Sequence, residues 1–152
     1  MKIATILVPV DFSDPSRAAL DAAIDLAKER KARLHLLHCY RIDLGWASPY
    51  GITLPPTLGD EIKQAAAAEL KKWTDDAVAR GANAEAHLSS LLPTEGIERA
   101  AEQVGADLIV MGTKGLTGLR HVVLGSVAER TVRHAPCAGL TLQQPDAEEP
   151  PA

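Results

Sequence analysis

The chain has 152 residues, 46% of them hydrophobic and 24% charged, with a formal net charge of −4. That length suits one domain burying roughly 68–70% of the surface its unfolded chain exposes, and the ordinary apolar and charged content excludes wholesale disorder. An acidic balance with scattered basic residues also excludes a sequence-independent nucleic-acid binder, which needs clustered Lys and Arg to displace counterions.

In chain order, Ile3 to Val8 is a β-branched-rich run of the kind found in strands buried on both faces. Asp11 and Asp14 break the apolar stretch before a secretory cleavage region could form. Asp14-Pro15 reads as an N-cap followed by a first-turn proline, opening a helix with Leu20, Ala23, Ile24 and Ala27 on one face. Leu34 to Cys39 is the second strand. Tyr40 to Leu58, rich in Pro and Gly, is a long irregular segment of the sort that carries function or moves. A helix with Ile62, Ala66, Leu70, Trp73 and Ala77 in phase stops at Gly81, and Asn83 to Ser89 is a third strand. Thr94 is placed to cap a helix carrying Ile97, Ala100, Ala101 and Val104. Leu108 to Met111 is the fourth strand, Ser126 to His134 the fourth helix and Ala138 to Leu142 a short fifth strand. Residues 1–144 thus form one domain, and the acidic, proline-rich Pro145–Ala152 reads as a disordered tail.

Alternating helices and continuous apolar strands call for a doubly wound α/β fold, a parallel sheet with helices on both faces. Ligands of such sheets lie beyond the carboxyl ends of the strands, where strand order reverses. Two features fall at carboxyl ends here: Pro9-Val10-Asp11 after the first strand and Gly112-Thr113-Lys114-Gly115 after the fourth. If those strands are neighbours, both features line one crevice. Gly125-Ser126 then opens the next helix. Glycines leave backbone N–H groups accessible, and a helix N-terminus supplies unpaired donors and a positive dipole end, a combination suited to a phosphate ester.

Val8-Pro9-Val10-Asp11-Phe12-Ser13, Leu36-Leu37-His38-Cys39, and Gly112-Thr113-Lys114-Gly115 with Leu124-Gly125-Ser126-Val127-Ala128-Glu129-Arg130 and His134-Ala135-Pro136-Cys137 resemble the universal stress protein family, from about Ile3 to Leu142. The resemblance implies a five-stranded sheet in the order 3-2-1-4-5 and an ATP-binding stress-response protein acting as a nucleotide-responsive regulatory or interaction module. It also implies a homodimer through the edge strand at Leu140–Leu142, where Ala138-Gly139 departs from the usual proline and β-branched pair and weakens strand propensity. The residues it assigns to the nucleotide are Pro9, Val10, Asp11, Cys39, Met111, Gly112, Gly115, Gly125, Ser126 and Val127. Any Mg²⁺ would be held mainly by the phosphates.

Several of these residues have a second reading. Asp11 either meets the base, largely through its backbone, or caps the loop before the first helix. Cys39 packs as a small hydrophobe, since nothing basic beside it in sequence suggests an activated thiol. Ser126 with Glu129 forms an S-x-x-E capping box, compatible with donation to a phosphate. Lys114 reads as a solvated loop lysine, and the spacing is not that of a Walker A loop. His35 and His38 point to opposite faces of a strand, and His87, His121 and His134 are isolated in sequence, so no metal site is expected. No catalytic base, nucleophile or metal cluster is identifiable, which favours a binding module over a slow ATPase or phosphotransferase using the same pocket. Cys39 and Cys137 form no CxxC, and no apolar run approaches membrane-spanning length. A cytoplasmic setting without membrane insertion is expected, with the adenine nucleotide and an unidentified protein as partners.

Overall fold

A computed structural model of the chain describes residues 1–42, 55–114 and 124–143. Strand and helix alternate as β1 (Thr5–Pro9), α1 (Asp14–Arg30), β2 (Arg33–Cys39), α2 (Leu58–Ala79), β3 (Asn83–Ser89), α3 (Pro93–Val104), β4 (Leu108–Gly112), α4 (Ser126–His134) and β5 (Ala138–Leu142). The strands form one parallel sheet in the order β3-β2-β1-β4-β5. The segment 43–54, most of the irregular stretch noted above, lies outside the described residues, as do Gly115, Arg120, His121 and the tail from Pro145.

Successive residues of a strand face opposite sides, and here both sides are covered. Ile6, Val8, Leu34, Leu36, Leu108 and Val110 pack against α1 (Leu20, Ala23, Ile24) and α2 (Leu70, Trp73, Ala77). Leu7, Leu37, Ile109 and Met111 pack against α3 (Ile97, Ala100, Ala101) and Ala128 of α4. Two-sided burial is why β1 and β4 read as unbroken apolar runs. The in-phase helix residues are the buried ones in α1; in α2, burial is concentrated in its carboxyl half.

The starts of α1 and α3 differ from the sequence expectation, whereas α4 spans Ser126–His134 as expected and α2 stops before Gly81. Ser13, rather than Asp14, is the N-cap of α1, its Oγ accepting from the Ser16 N–H at 3.3 Å. Asp14 and Pro15 occupy the first turn. In α3 the proline itself takes the first helical position after Leu92, so Thr94 lies inside the first turn and caps nothing. Gly81 (φ 97°) and Gly105 (φ 64°) follow α2 and α3 in the left-handed region that glycine adopts at little cost.

The amino ends of the central strands are tied together by Asp107. Its Oδ2 accepts from Ala4 N at 2.8 Å and Thr5 N at 3.0 Å, while its own N–H donates to Thr5 O at 2.9 Å. Among the described residues β5 has a partner on one side only, with Leu140 exposed and Val132 of α4 exposed over Gly139 on the opposite face. The Leu142 carbonyl accepts from Thr113 N, so Leu142 directs its backbone groups at β4. By alternation Leu140 does likewise, whereas Gly139 and Thr141 direct theirs outward. Asp107→Ala should cost about 1–3 kcal/mol through the two orphaned N–H groups, measured as a lower urea midpoint with an unchanged m-value. An unchanged midpoint would show that water replaces the carboxylate at no cost.

Candidate functional site

β1 and β4 lie side by side, but the chain leaves β1 for α1 on one face and arrives at β4 from α3 on the other. Among the described residues no connection crosses the gap above their carboxyl ends, and a crevice of about 290 Å³ opens there. This is close to the lower end of the range for small-ligand sites, roughly 300–1,000 Å³. Pro9, Val10 and Asp11 line it from β1, with Ser16 from α1. Leu37, His38 and Cys39 come from β2, Pro93 and Ile97 from α3, and Met111, Gly112, Thr113 and Lys114 from β4 and its end. Gly125, Ser126, Val127 and Ala128 come from the start of α4. Every residue assigned to the nucleotide from sequence is therefore at this crevice except Gly115, which lies outside the described residues.

Sequence reasoning missed Ser16, Leu37, His38, Pro93, Ile97, Thr113 and Ala128 as lining residues. Leu37 and His38 stand beside Cys39 at a strand end and could have been included on that ground. Pro93 and Ile97 carry no local signal, because only the crossover of α3 brings them over the sheet.

The turn after β1 is rigidly built. The Asp11 carboxylate accepts from Ser13 N at 3.0 Å and from the Ser13 hydroxyl, and the Asp11 N–H donates to Ser16 Oγ at 3.3 Å. The side chain of Asp11 is thus engaged in the loop before α1. Phe12 adopts φ 64°, a conformation costing a non-glycine residue roughly 1–2 kcal/mol. Its ring is held against His38 (centroids 4.3 Å apart) and edge-on to Trp73 of α2 (5.3 Å). His38 in turn places Nδ1 2.7 Å from the Val10 carbonyl. Aromatic packing thus holds the strained residue in place, and the crevice wall with it.

The glycines answer first to protein packing. A Cβ on Gly112 would lie 2.9 Å from Pro15 Cβ and 3.0 Å from the Pro15 carbonyl oxygen. One on Gly125 would lie 2.9 Å from the Thr113 carbonyl oxygen, which accepts the Gly125 N–H. Glycine at these two positions lets α1 approach β4 and lets α4 begin against the end of β4. A bulky side chain at Gly125 would therefore disturb the scaffold as well as any ligand.

α4 begins without a side-chain cap. Gly125 is the N-cap, in extended conformation, and Ser126 is the first helical residue. The capping box expected from Ser126 and Glu129 does not form. A serine already inside the helix cannot serve as its cap, and Glu129 reaches forward to Arg133 at 2.9 Å. Among the described residues no side-chain oxygen is bonded to the first-turn N–H groups at the crevice, an arrangement suited to an anion.

Cys39 is packed rather than reactive. Burial pushes its thiol up to about 11, against a smaller opposing effect of a Ser89 hydrogen bond. Its sulfur fills the space left by Gly96 of α3, where a Cβ would come within 2.6 Å.

The model of the Universal stress protein family matches residues 2–141. The chain belongs to the universal stress protein family. It is 36% identical over 148 residues to universal stress protein MJ0531 of Methanocaldococcus jannaschii, covering 94% of this chain and 84% of that one. Universal stress protein YxiE of Bacillus subtilis is 33% identical over 144 residues, covering 91% and 97%. Among solved structures, a universal stress protein in complex with cAMP superimposes with a TM-score of 0.70 at 27% identity, covering 93% of this chain and 98% of that one. The family resemblance and the doubly wound fold expected from sequence are thus both borne out.

The folded state holds the Cys39 proton more tightly than the unfolded chain does. Its stabilising contribution is therefore complete below the ordinary thiol value of 9.0 and is lost as pH rises towards about 11. In a Cys137→Ser background, Cys39 should resist iodoacetamide at pH near 8. Unfolding free energy should fall between pH about 9 and 11, and Cys39→Ala should flatten that fall. Rapid alkylation of the native protein at pH 8 would contradict the packed thiol.

Proposed function

We propose that the crevice binds an adenine nucleotide, ATP in particular, and that the protein is a nucleotide-responsive stress module of the cytoplasm that acts through its dimer surface or a protein partner. The observation that carries this reading is the junction of Gly112-Thr113-Lys114 with the uncapped start of α4 at Gly125-Ser126, directly across from the Pro9-Val10-Asp11 turn. Val10, Leu37, Cys39, Ile97 and Met111 offer an apolar wall of the kind that takes a flat base, while the α4 N–H groups and the Ser126 hydroxyl are donors for phosphate oxygens. The solved relative in complex with cAMP supports the adenine-nucleotide class. Mg²⁺ would be held chiefly by the phosphates. No helix among the described residues is long and apolar enough to cross a membrane, and both cysteines are free thiols, in keeping with a reducing compartment.

Assembly follows from the free edge. The exposed β5, with Leu140 exposed on one face and Val132 of α4 exposed over Gly139 on the other, supports a two-fold homodimer in which the two edges meet. Thr141→Pro removes an outward N–H and should give folded monomers by sedimentation. Leu140→Pro instead removes a bond to β4 and should destabilise the sheet itself. A Thr141→Pro protein that remains dimeric would move the interface away from β5.

ATP at a hundredfold excess over its Kd should stabilise the protein by about 2.7 kcal/mol, read as a rise in Tm of roughly 5–10 °C. Because Gly125 and not Ser126 is the cap, Ser126→Ala should leave the Tm of the free protein nearly unchanged. ATP affinity should fall roughly tenfold, from loss of a hydrogen bond to a charged group, with adenosine affinity preserved. No ATP-dependent shift in the wild type, or equal losses for ATP and adenosine, would refute the assignment.

A further inference from the structure

Outside the crevice, β2 and β3 bring together residues that lie 50 or more positions apart in sequence. Their register pairs His35 with Glu85 and Leu37 with His87. Side chains two apart share a face of a strand, so His35, Glu85 and His87 all project to the α3 side. His35 Nδ1 lies 2.7 Å from His87 Nε2 and 3.7 Å from Glu85 Oε2, and one ligand atom from each residue falls within a 4.8 Å triangle. The histidines that looked isolated are neighbours, because strand pairing supplies what sequence spacing does not.

We propose that His35, Glu85 and His87 form a binding site for a divalent transition-metal ion of the zinc class, with two imidazole nitrogens, one carboxylate oxygen and an open position for water. Two histidines and one carboxylate, completed by water, are a donor set that zinc takes in tetrahedral sites, with bonds of about 2.0–2.2 Å and hence ligand atoms roughly 3.2–3.5 Å apart. The His35–His87 separation opens by about half an ångström to reach this spacing, and the His35–Glu85 separation closes by less. Glu85 can make the adjustment because its side chain is 69% exposed.

Without metal, one imidazole donates its proton to the other across the 2.7 Å contact. On binding, that proton moves to the far nitrogen of its own ring, both facing lone pairs go to the ion, and no net proton is released from two neutral rings. Burial, followed by the adjacent His87, lowers the pKa of His35, in keeping with a neutral ring. Arg33 also opposes a positive charge on His35, and the Glu85 carboxylate favours it. A second cavity of about 370 Å³, lined by His87, Arg99 and Gln103 among others, adjoins the group on the α3 side and leaves room for the water. None of the three ligand residues lines the crevice.

The test uses the untagged full chain, stripped with a chelator and titrated with ZnCl₂ by calorimetry, with Co²⁺ as the spectroscopic probe. One equivalent should bind and raise the Tm, and the Co²⁺ complex should show the intense visible bands of a low-coordinate site. Losing one ligand should weaken zinc by at least about 10-fold in His87→Ala, taking the cost of lost outer-shell partners as a lower bound. Glu85→Gln, at an exposed position that the fold does not need, should also weaken it. His134→Ala, at an exposed histidine elsewhere, should bind as the wild type does. Zinc binding equal in the wild type, His87→Ala and Glu85→Gln would overturn the proposal, as would absence of stoichiometric binding in the wild type.

Discussion

The structure depends on one topological constraint, the parallel pairing of β1 with β4 while the chain runs to opposite faces of the sheet on either side of that pair. A parallel strand must return by a crossover, and a right-handed crossover on either side of β1 and β4 puts α1 and α2 on one face and α3 and α4 on the other. Among the described residues the space above the two carboxyl ends belongs to neither set of connections. A cleft there is a consequence of chain geometry before any residue in it is chosen.

What fills the rim is then set by close approach. Gly112 admits the start of α1, Gly125 admits the start of α4, and Gly96 admits the Cys39 sulfur. Each is a point where backbone or side chain comes nearer than a Cβ allows, and together they bring three helices up to the strand ends. The same contacts that bury the core also set the start of α4 at the crevice, so a glycine substitution here disturbs the scaffold and the crevice at once. The strained Phe12, held between His38 and Trp73, fixes the opposite wall by side-chain packing.

The sheet is uneven in its chemistry. Its centre is wholly aliphatic, with Ile6, Leu7, Val8, Ile109 and Val110 inaccessible to water. Towards β3 it becomes polar, and His35 is buried in contact with His87. Glu85 and His87 lie on the edge strand β3, where one side remains open to solvent, so charge there is not stranded. The His35–Glu85–His87 cluster and the crevice thus occupy different parts of the same sheet, the one on paired strand interiors near an edge, the other beyond the strand ends at the centre.

Much of the fold was legible in the sequence, because two-sided burial writes itself as runs such as Ile3 to Val8 and amphipathic helices as repeats such as Leu20, Ala23, Ile24 and Ala27. The crevice residues that sit at strand ends or in the glycine stretch were legible for the same local reason. Helix caps were not: Ser13 and Asp14, or Gly125 and Ser126, are adjacent residues that can each stand at the cap position, and the backbone conformation of the folded chain decides between them. Pro93 and Ile97 joined the crevice only through the crossover of α3, and the direction of the Leu140 backbone only through its pairing with β4. His35 and His87 met only through strand register. Local periodicity is a property of a segment and can be read along it. Contact between distant segments is decided by the sheet order and register that bring them together, and that information is held by the folded chain as a whole.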